Sequence, residues 1–306
     1  MNTPSDPVLL VAGESGLCTV GLDGTVLATE LVGEPVVSVA VAGEWCFAAV
    51  QGRGVLRRRH GGEWENLGLE GEVLWTVTGR ADGVVYAGVE PAAIWRLGDG
   101  EPQQLSALGD VAGADDWESP WGPADLGSIV VDGDRLIVGI EIGGVAVSSD
   151  AGGHWEARNE GLFDDVHRVA ADGSEMWATT GLGPHLSRDE GHNWSWEAEG
   201  VDRGYSQALA LGPDSVFISA SSGPPSLWGP DGAQAAIFCA NRGAGQTSWR
   251  TAFSDFTGNI ERQALAVSGA LVVAITTDGE LLVSRDGGAG WAVHRGLSPA
   301  TAIALR

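Results

Sequence analysis

One stretch decides the fold expected for this chain: Ser148-Ser-Asp-Ala-Gly-Gly-His-Trp155. Its spacing, Ser-x-Asp-x-Gly-x-x-Trp, recurs over residues 187–194 and 284–291. The tryptophans Trp155 and Trp194 are 39 positions apart. A repeat of this length, with short β-branched runs between glycine-containing turns, predicts one four-stranded blade of a β-propeller per period.

The polar residues of the repeat have a structural explanation. Short Ser and Asp side chains can bind the backbone N–H groups of a tight turn, glycine supplies a positive φ, and tryptophan fills the gap between blades. The spacing is not that of an EF-hand. We therefore predict that Asp150, Asp189 and Asp286 hold turns rather than calcium.

A second pattern precedes each repeat: a polar or bulky residue, four mostly apolar residues, and a turn. It occurs seven times and predicts seven innermost strands, whose first residues are Ser38, Trp75, Ser128, Arg168, Gln207, Gln263 and Thr301. The segment from Val8 to Glu30 has room for only three strands. The C-terminal strand, at about residues 300–306, is therefore predicted to complete the N-terminal blade, which removes two exposed sheet edges. The expected fold is an all-β, seven-bladed propeller of four-stranded antiparallel blades, forming one domain over residues 1–306.

The spacing of the repeat resembles the Asp-box, or bacterial neuraminidase repeat, of sialidases, sortilin-type receptors and photosystem II assembly factors. The resemblance covers nearly the whole chain and implies a sialidase-like or assembly-factor-like propeller. Because these boxes occur in proteins of very different activity, the resemblance implies a fold and leaves the function open.

Composition limits the partners. The formal charge is -24, with 41 acidic residues against 17 basic ones, which argues against nucleic acid and anionic membranes. Cys18, Cys46 and Cys239 lie singly in apolar runs and are expected to be small buried hydrophobes. The N-terminus has no basic region and the apolar run 8–12 is short, so we expect a cytoplasmic protein.

Strand reversal predicts which end of the propeller carries the site. The repeats occupy the third turn of each blade, so second turns and blade-to-blade connections lie at the opposite end. Two of these are unusually long: residues 106–127, between blades 3 and 4, and residues 221–235, inside blade 6. Long loops in compact domains often carry function. We predict a binding site at the channel mouth on the face away from the repeats.

Acidic and aromatic side chains near this mouth suit a sugar, a cation or an amine-bearing metabolite. An acidic arc is expected at the ends of the second strands of blades 1 to 4, from Glu14, Gln51, Glu90 and Glu141. The loop tryptophans can equally serve as packing anchors. The predicted ligand-binding residues are Trp75, Trp117, Glu118, Trp121, Ser128, Arg168, Arg203, Gln207, Trp228, Glu261, Arg262 and Gln263.

If the chain is an enzyme, the expected chemistry is that of a hydrolase or lyase. The candidate acid, base or nucleophile residues are Asp116, Glu141, Asp165, His167 and Tyr205. A sialidase needs three arginines and a tyrosine activated by a glutamate. Arg168, Arg203 and Arg262 could supply the arginines, and Tyr205 with Glu261 could supply the pair. However, the Phe/Tyr-Arg-Ile-Pro motif expected early in sialidases is missing. Another glycosidase or lyase would need two carboxyls flanking one bond.

A non-catalytic propeller is supported equally well. It could bind a small molecule at the mouth, or act as a scaffold for a protein partner. Nucleotide, dinucleotide and zinc motifs are missing, so no cofactor is expected. A divalent cation held by oxygen ligands from Asp115, Asp116, Glu141 or Asp165 together with His167 stays an alternative.

Overall fold

Seven antiparallel sheets, each of four strands, form the blades of a β-propeller. This confirms the predicted all-β, seven-bladed architecture. The computed structural model describes residues 7–119, 122–229, 232–243 and 245–306. Strands are numbered in chain order, and blades are numbered from the N-terminus.

The strands of blades 1 to 3 have the following bounds. Blade 1 contains β1 (Val8–Gly13), β2 (Gly16–Gly21), β3 (Val26–Glu30) and, innermost, β30 (Ala302–Leu305). Blade 2 contains β4 (Val36–Ala42), β5 (Trp45–Val50), β6 (Gly54–Arg59) and β7 (Glu65–Asn66). Blade 3 contains β8 (Val73–Gly79), β9 (Val85–Glu90), β10 (Ala93–Leu97) and β11 (Gln103–Gln104).

The strands of blades 4 to 7 follow the same order, from the channel outwards. Blade 4 contains β14 (Leu126–Asp132), β15 (Arg135–Ile140), β16 (Gly144–Ser148) and β17 (Glu156–Ala157). Blade 5 contains β18 (Val166–Asp172), β19 (Glu175–Thr180), β20 (Gly183–Ser187) and β21 (Ser195–Trp196). Blade 6 contains β22 (Tyr205–Leu211), β23 (Ser215–Ser221), β24 (Ala236–Asn241) and β25 (Arg250–Phe253). Blade 7 contains β26 (Leu265–Ser268), β27 (Leu271–Ile275), β28 (Leu281–Ser284) and β29 (Ala292–His294).

The two long loops contain the remaining regular structure. The first holds 3-10 helices at Ser106–Asp110 and Ala114–Asp116, followed by a two-stranded ribbon of β12 (Glu118–Ser119) and β13 (Gly122–Pro123). The second holds a 3-10 helix at Pro225–Leu227. None of these helices, in the ranges described, is long and apolar enough to cross a membrane.

The C-terminal strand closes the ring, as predicted. Strand β30 pairs antiparallel with β1, from Leu9 opposite Leu305 to Ala12 opposite Ala302. Beyond this ladder, the Val8 N–H donates to the Arg306 carbonyl at 3.0 Å. Blade 1 is therefore built from both ends of the described chain, and unfolding of either end opens the ring.

The hydrophobic core lies between adjacent blades rather than in one central mass. Both faces of a blade pack against neighbours, which explains why strands such as β1 are apolar without alternation. Between blades 5 and 6, the Trp177 and Trp249 rings meet edge to face with centroids 5.7 Å apart. The repeat tryptophans Trp155 and Trp194 are buried, as expected for residues that fill inter-blade gaps.

The repeats form identical turns held by their Ser and Asp side chains. In the first, the Ser148 hydroxyl donates to the Asp150 carboxylate at 2.9 Å and accepts the Gly152 N–H at 2.9 Å. The same carboxylate accepts the His154 N–H at 2.8 Å. Equivalent contacts recur after Ser187 and Ser284. The polar residues of the repeat thus accept hydrogen bonds from the backbone N–H groups of the turn, in agreement with the predicted structural role.

A β-bulge interrupts the start of the inner strands of blades 2 to 5 and corrects part of the sequence alignment. In blades 2, 4 and 5 the pairing jumps over one residue immediately before Ser38, Ser128 and Arg168. In blade 3 the jump falls between Leu74 and Thr76, so Thr76 is the equivalent residue and Trp75 occupies the bulge. Bulges redirect side chains at such positions. The alignment was wrong here because a pattern of polar and apolar residues cannot reveal one unpaired residue.

We predict that Ser148→Ala destabilises the propeller by about 1–3 kcal/mol, because the buried Gly152 N–H loses its acceptor. Urea unfolding would measure the loss. The neighbouring Ser149 is exposed, and Ser149→Ala is the matched control with an expected change below about 0.5 kcal/mol. Equal stability of the two variants would contradict the structural role of the repeat.

Candidate ligand-binding cavity at the channel mouth

A cavity of about 470 Å³ opens at the end of the propeller opposite the repeats. Its walls come from the starts of inner strands, the ends of second strands and both long loops. The lining residues are Val37, Gln51, Val73, Leu74, Trp75, Glu90, Ser119, Gly122, Pro123, Asp125, Glu141, Tyr205, Gln207, Pro225, Glu261, Arg262, Gln263 and Thr301. The long loops therefore meet at the mouth, at the end of the propeller predicted from the alternating direction of the strands.

Arg262 crosses the mouth from blade 7 to blade 4. Its Nη1 donates to both carboxylate oxygens of Asp125, at 3.0 and 3.2 Å, and its Nη2 donates to Glu141. The guanidinium carbon also lies 5.3 Å from the centre of the Trp75 ring, in the range of a cation–π contact. One side chain thus joins three blades and closes the floor of the cavity.

The close approach of Arg262 depends on a residue without a side chain. A Cβ atom on Gly127 would lie 2.8 Å from Asp125 Oδ1 and 2.9 Å from Arg262 Nη1. Gly127 occupies the bulge of blade 4, the position that Trp75 has in blade 3 and His167 in blade 5. The bulge therefore leaves room for Arg262 in blade 4 and carries a large side chain in blades 3 and 5.

Gln263 makes a second crossing beside Arg262. Its Oε1 accepts the Ser38 hydroxyl at 2.6 Å, and its Nε2 donates to the Trp75 carbonyl at 2.9 Å. Gln263 precedes β26 and makes only an isolated bridge to Ala302, so blade 7's inner strand starts later than predicted. Ser38 is completely buried, and its hydroxyl also accepts the Val77 N–H. These contacts fix the floor and link blades 2, 3 and 7.

The two carboxyl groups bound to Arg262 differ in their affinity for protons. Burial raises the pKa of Asp125 to about 7, against the opposing effect of Arg262, and the adjacent Glu141 carboxyl raises it further. Burial acts on Glu141 in the same direction, but Arg262 and the hydrogen bond with Asp125 outweigh it and lower the Glu141 pKa. The pair therefore holds one proton on Asp125 below about pH 7, while Arg262 stays charged.

Glu261 and Tyr205 are two other ionisable groups that face the cavity. Burial raises the pKa of Glu261, although Arg262 and His167 partly oppose the shift. Burial, followed by the Asp165 carboxylate, raises the pKa of Tyr205 to about 12. Tyr205 is thus a neutral phenol. Glu90 completes the acidic wall and accepts the Trp75 indole N–H at 3.0 Å.

His167 is buried beneath the mouth and does not line the cavity. Its Nδ1 lies 2.6 Å from the Ser206 carbonyl, and its ring packs against Tyr205 with centroids 4.6 Å apart. Its Nε2 lies 3.3 Å from Asp165. The structure thus brings Asp165, His167 and Tyr205 together, but only Tyr205 reaches the cavity.

Several predicted binding residues are used elsewhere. Arg203 binds Asp202 at 2.5 Å and the Gln234 carbonyl, so it supports the blade 6 loop. Trp228 anchors the same loop through its N–H, at 2.8 Å from the Gly223 carbonyl. Trp117 packs against the core of blade 4, and the buried Ser128 hydroxyl bonds the backbone of Val169.

The remaining predicted residues are distributed as follows. Asp116 and Glu118 are exposed on the first loop, outside the cavity, as is Glu14 on blade 1. Gln207 lines the cavity and accepts a hydrogen bond from Asn259. Trp121 lies outside the described residues. Trp75, Glu141, Tyr205, Gln207, Glu261, Arg262 and Gln263 form the group that the fold assembles.

Asp125 is the residue that sequence reasoning missed. It lies three positions before Ser128, just as Asp165 lies three positions before Arg168. The two aspartates are equivalent, because each carbonyl accepts the N–H that follows the second strand, from Glu141 or Gly181. Extending the alignment of inner strands by three residues would have placed Asp125 at the mouth.

Metal binding was an alternative for the acidic and histidine side chains near the mouth. Within the described ranges, no group of three or more His, Cys, Asp or Glu side chains is arranged to hold a metal ion. Of the residues considered from the sequence, Asp165 and His167 are neighbours, whereas Asp115 and Asp116 are exposed on the first long loop.

Seven blades and an acidic mouth cavity define the chain as a β-propeller with a preformed pocket. No protein-family model and no curated protein matches the sequence. The fold is similar to the GH74 xyloglucanase from Xanthomonas campestris, with a TM-score of 0.62, 19% identity, 95% of this chain covered and 47% of that one. The chain thus spans less than half of that enzyme.

Two assembly-factor structures cover more of their own length. YCF48 from Cyanidioschyzon merolae has a TM-score of 0.59 at 13% identity, covering 98% of this chain and 88% of that one. YCF48 bound to D1 peptide has a TM-score of 0.55 at 14% identity, covering 94% and 92%. At these identities the likeness shows the fold alone.

We expect Gly127→Ala to cost about 1–3 kcal/mol of folding free energy, because the new methyl group displaces Arg262 or Asp125. Denaturant titration at pH 8 would measure it. Gly109 in the same long loop has no atom within 4 Å of an added Cβ, so Gly109→Ala is the control. A Gly127→Ala variant as stable as Gly109→Ala would contradict the described Arg262 crossing.

Proposed function

We propose that the chain is a binding propeller whose mouth cavity takes a small organic cation, such as an amine or guanidine. The observation that carries the proposal is the charge of the lining: Glu90, Asp125, Glu141 and Glu261 face one guanidinium, Arg262. With Asp125 protonated, the wall still has more negative than positive charge. A cation entering this cavity would meet a negative potential.

The non-ionic lining supports the same ligand class. Trp75 and Tyr205 present aromatic surface beside the carboxylates, and Gln207 contributes an amide. Aromatic rings and carboxylates together are the groups that bind ammonium and guanidinium ions in proteins. The polar contacts of Arg262 and Gln263 are already made within the protein, so they shape the cavity before a ligand arrives.

The geometry supports binding better than catalysis. A sialidase-type nucleophile requires an activated tyrosine, whereas burial raises the pKa of Tyr205 to about 12. The three arginines do not converge, because Arg203 is held by the blade 6 loop. Glu141 and Asp125 are both bound to Arg262, which leaves neither placed as an independent acid or base.

A protein partner is the second candidate. The structural neighbour bound to D1 peptide shows that a similar ring can hold a peptide, and an arginine or lysine side chain has the chemistry that this cavity suits. The same lining residues would then recognise a basic side chain of the partner. A xyloglucanase-like activity has weaker support, because the likeness extends over less than half of that enzyme.

The proposal predicts selection by charge between isosteric probes. Butylguanidinium should bind at least tenfold more tightly than butylurea, since only the former is cationic, and isothermal titration calorimetry would measure both affinities. Glu261→Gln should weaken butylguanidinium binding by about tenfold, equivalent to about 1.4 kcal/mol. Glu118 is exposed and outside the cavity, so Glu118→Gln should change the affinity less than twofold, because salt screens a distant surface charge. Equal binding of the two probes would reject the proposal.

The pH dependence of binding follows from Asp125. Its pKa of about 7 means that the cavity gains negative charge as the pH rises from 6 to 8. Affinity for butylguanidinium, which stays cationic throughout, should therefore increase over this interval. Asp125→Asn should remove most of the increase. Affinity that falls with rising pH would contradict the assigned protonation.

A further inference from the structure

The acidic character of the mouth extends beyond the cavity to the connections that surround it. Exposed carboxylates lie on the blade-to-blade connections and second turns at this end, among them those of Glu70, Asp116, Asp164, Glu199, Asp255 and Asp278. Among the described residues of these connections, the one exposed basic side chain is Arg295, which binds Glu280 at 2.7 Å. The surface around the cavity is therefore negative.

Exposed basic side chains lie mainly at the opposite end of the propeller. They belong to the turns that contain the repeats and their blade 2 counterpart, and they are Arg59, His60, His154, Arg188, His192 and Arg285. This distribution gives the two ends different surface potentials, and the mouth end is the more negative. A positively charged partner is therefore attracted to the end that carries the cavity.

The mouth end also carries exposed apolar side chains. Val32, Val73, Leu182 and Leu227 are 74%, 47%, 54% and 76% exposed, and each lies in a connection at this end or at the first residue after one. Within the described residues, no large apolar side chain is exposed in a turn at the repeat end. Exposed apolar groups surrounded by polar ones are typical of protein interaction sites.

Two of these apolar residues flank the cavity from different sides. Val73 lines it from blade 3, and Leu227 follows by two positions the lining residue Pro225 of blade 6. Blades 3 and 6 are three steps apart in a ring of seven, so they lie across the mouth from each other. A small cation inside the cavity would leave Leu227 in water. A chain that crosses the mouth from blade 3 to blade 6 would cover both side chains.

We propose, on the basis of the cation cavity described under the proposed function, that its occupant is an arginine or lysine side chain of a partner polypeptide. The polypeptide lies extended across the mouth and has apolar residues two positions before and two positions after the basic residue. In an extended chain, residues i−2, i and i+2 face the same way, so the basic side chain enters the cavity while the apolar ones contact Val73 and Leu227. A second copy of this chain does not fit the role, because its formal charge is -24.

The proposal is tested with two end-blocked peptides that differ only beside the arginine, Ser-Leu-Ser-Arg-Ser-Leu-Ser and Ser-Ser-Ser-Arg-Ser-Ser-Ser. The leucine peptide should bind about tenfold more tightly in isothermal titration calorimetry, because its two leucines leave water at the rim. Replacing its arginine by citrulline, which is uncharged, should weaken binding by about tenfold. Butylguanidinium should displace the leucine peptide, since both occupy the same cavity.

A pair of surface variants locates the apolar contact. Leu227→Ser should weaken the leucine peptide about fivefold and leave the serine peptide within about twofold of its parent affinity. Leu27 is 57% exposed on the outer strand β3, so Leu27→Ser is the matched control and should change neither affinity.

The outcomes separate this proposal from the cation site on which it rests. If butylguanidinium binds but the leucine and serine peptides bind equally, the polypeptide occupant is rejected and the cation site stands. Simultaneous binding of butylguanidinium and the leucine peptide, or an unchanged affinity in Leu227→Ser, would also overturn the polypeptide occupant. If neither butylguanidinium nor any arginine peptide binds, the proposed function fails together with this inference.

Discussion

The ion pair that Arg262 makes across the channel with Asp125 and Glu141 is the contact on which the mouth depends. A guanidinium in this place loses hydration, and only several short, charge-assisted bonds can compensate for the loss. The ring supplies them by joining blade 7 to blade 4 over the Trp75 face. This contact closes the channel at the base of the cavity. Because Arg262 passes so close to the backbone of blade 4, position 127 has no room for a side chain and is a glycine.

The mouth cavity is acidic although a guanidinium closes its floor. Arg262 is neutralised by its carboxylates, and the additional carboxyl groups of Glu90 and Glu261 leave the cavity negative.

Propellers with the same ring serve as enzymes and as binding platforms, so the fold gives no functional conclusion here. Individual side chains, rather than the fold, distinguish binding from catalysis here. Tyr205 is a neutral phenol, Glu141 is committed to an arginine, and His167 is buried under the cavity wall. A preformed acidic pocket with an aromatic wall fits recognition of a cation better than it fits proton transfer.

The sequence by itself determined the ring: the repeat spacing and the seven apolar runs are local patterns, and closure by β30 follows from counting strands. It also determined the end of the propeller that carries the long loops, because antiparallel strands alternate in direction. Only the tertiary structure decided which residues meet. Asp125 and Arg262 are 137 positions apart, and no local pattern relates them. A one-residue bulge placed Trp75 differently from its apparent alignment, and the loop tryptophans Trp117 and Trp228 became anchors. Such pairings are fixed by packing around the closed ring, where residues distant in sequence are brought within hydrogen-bond distance.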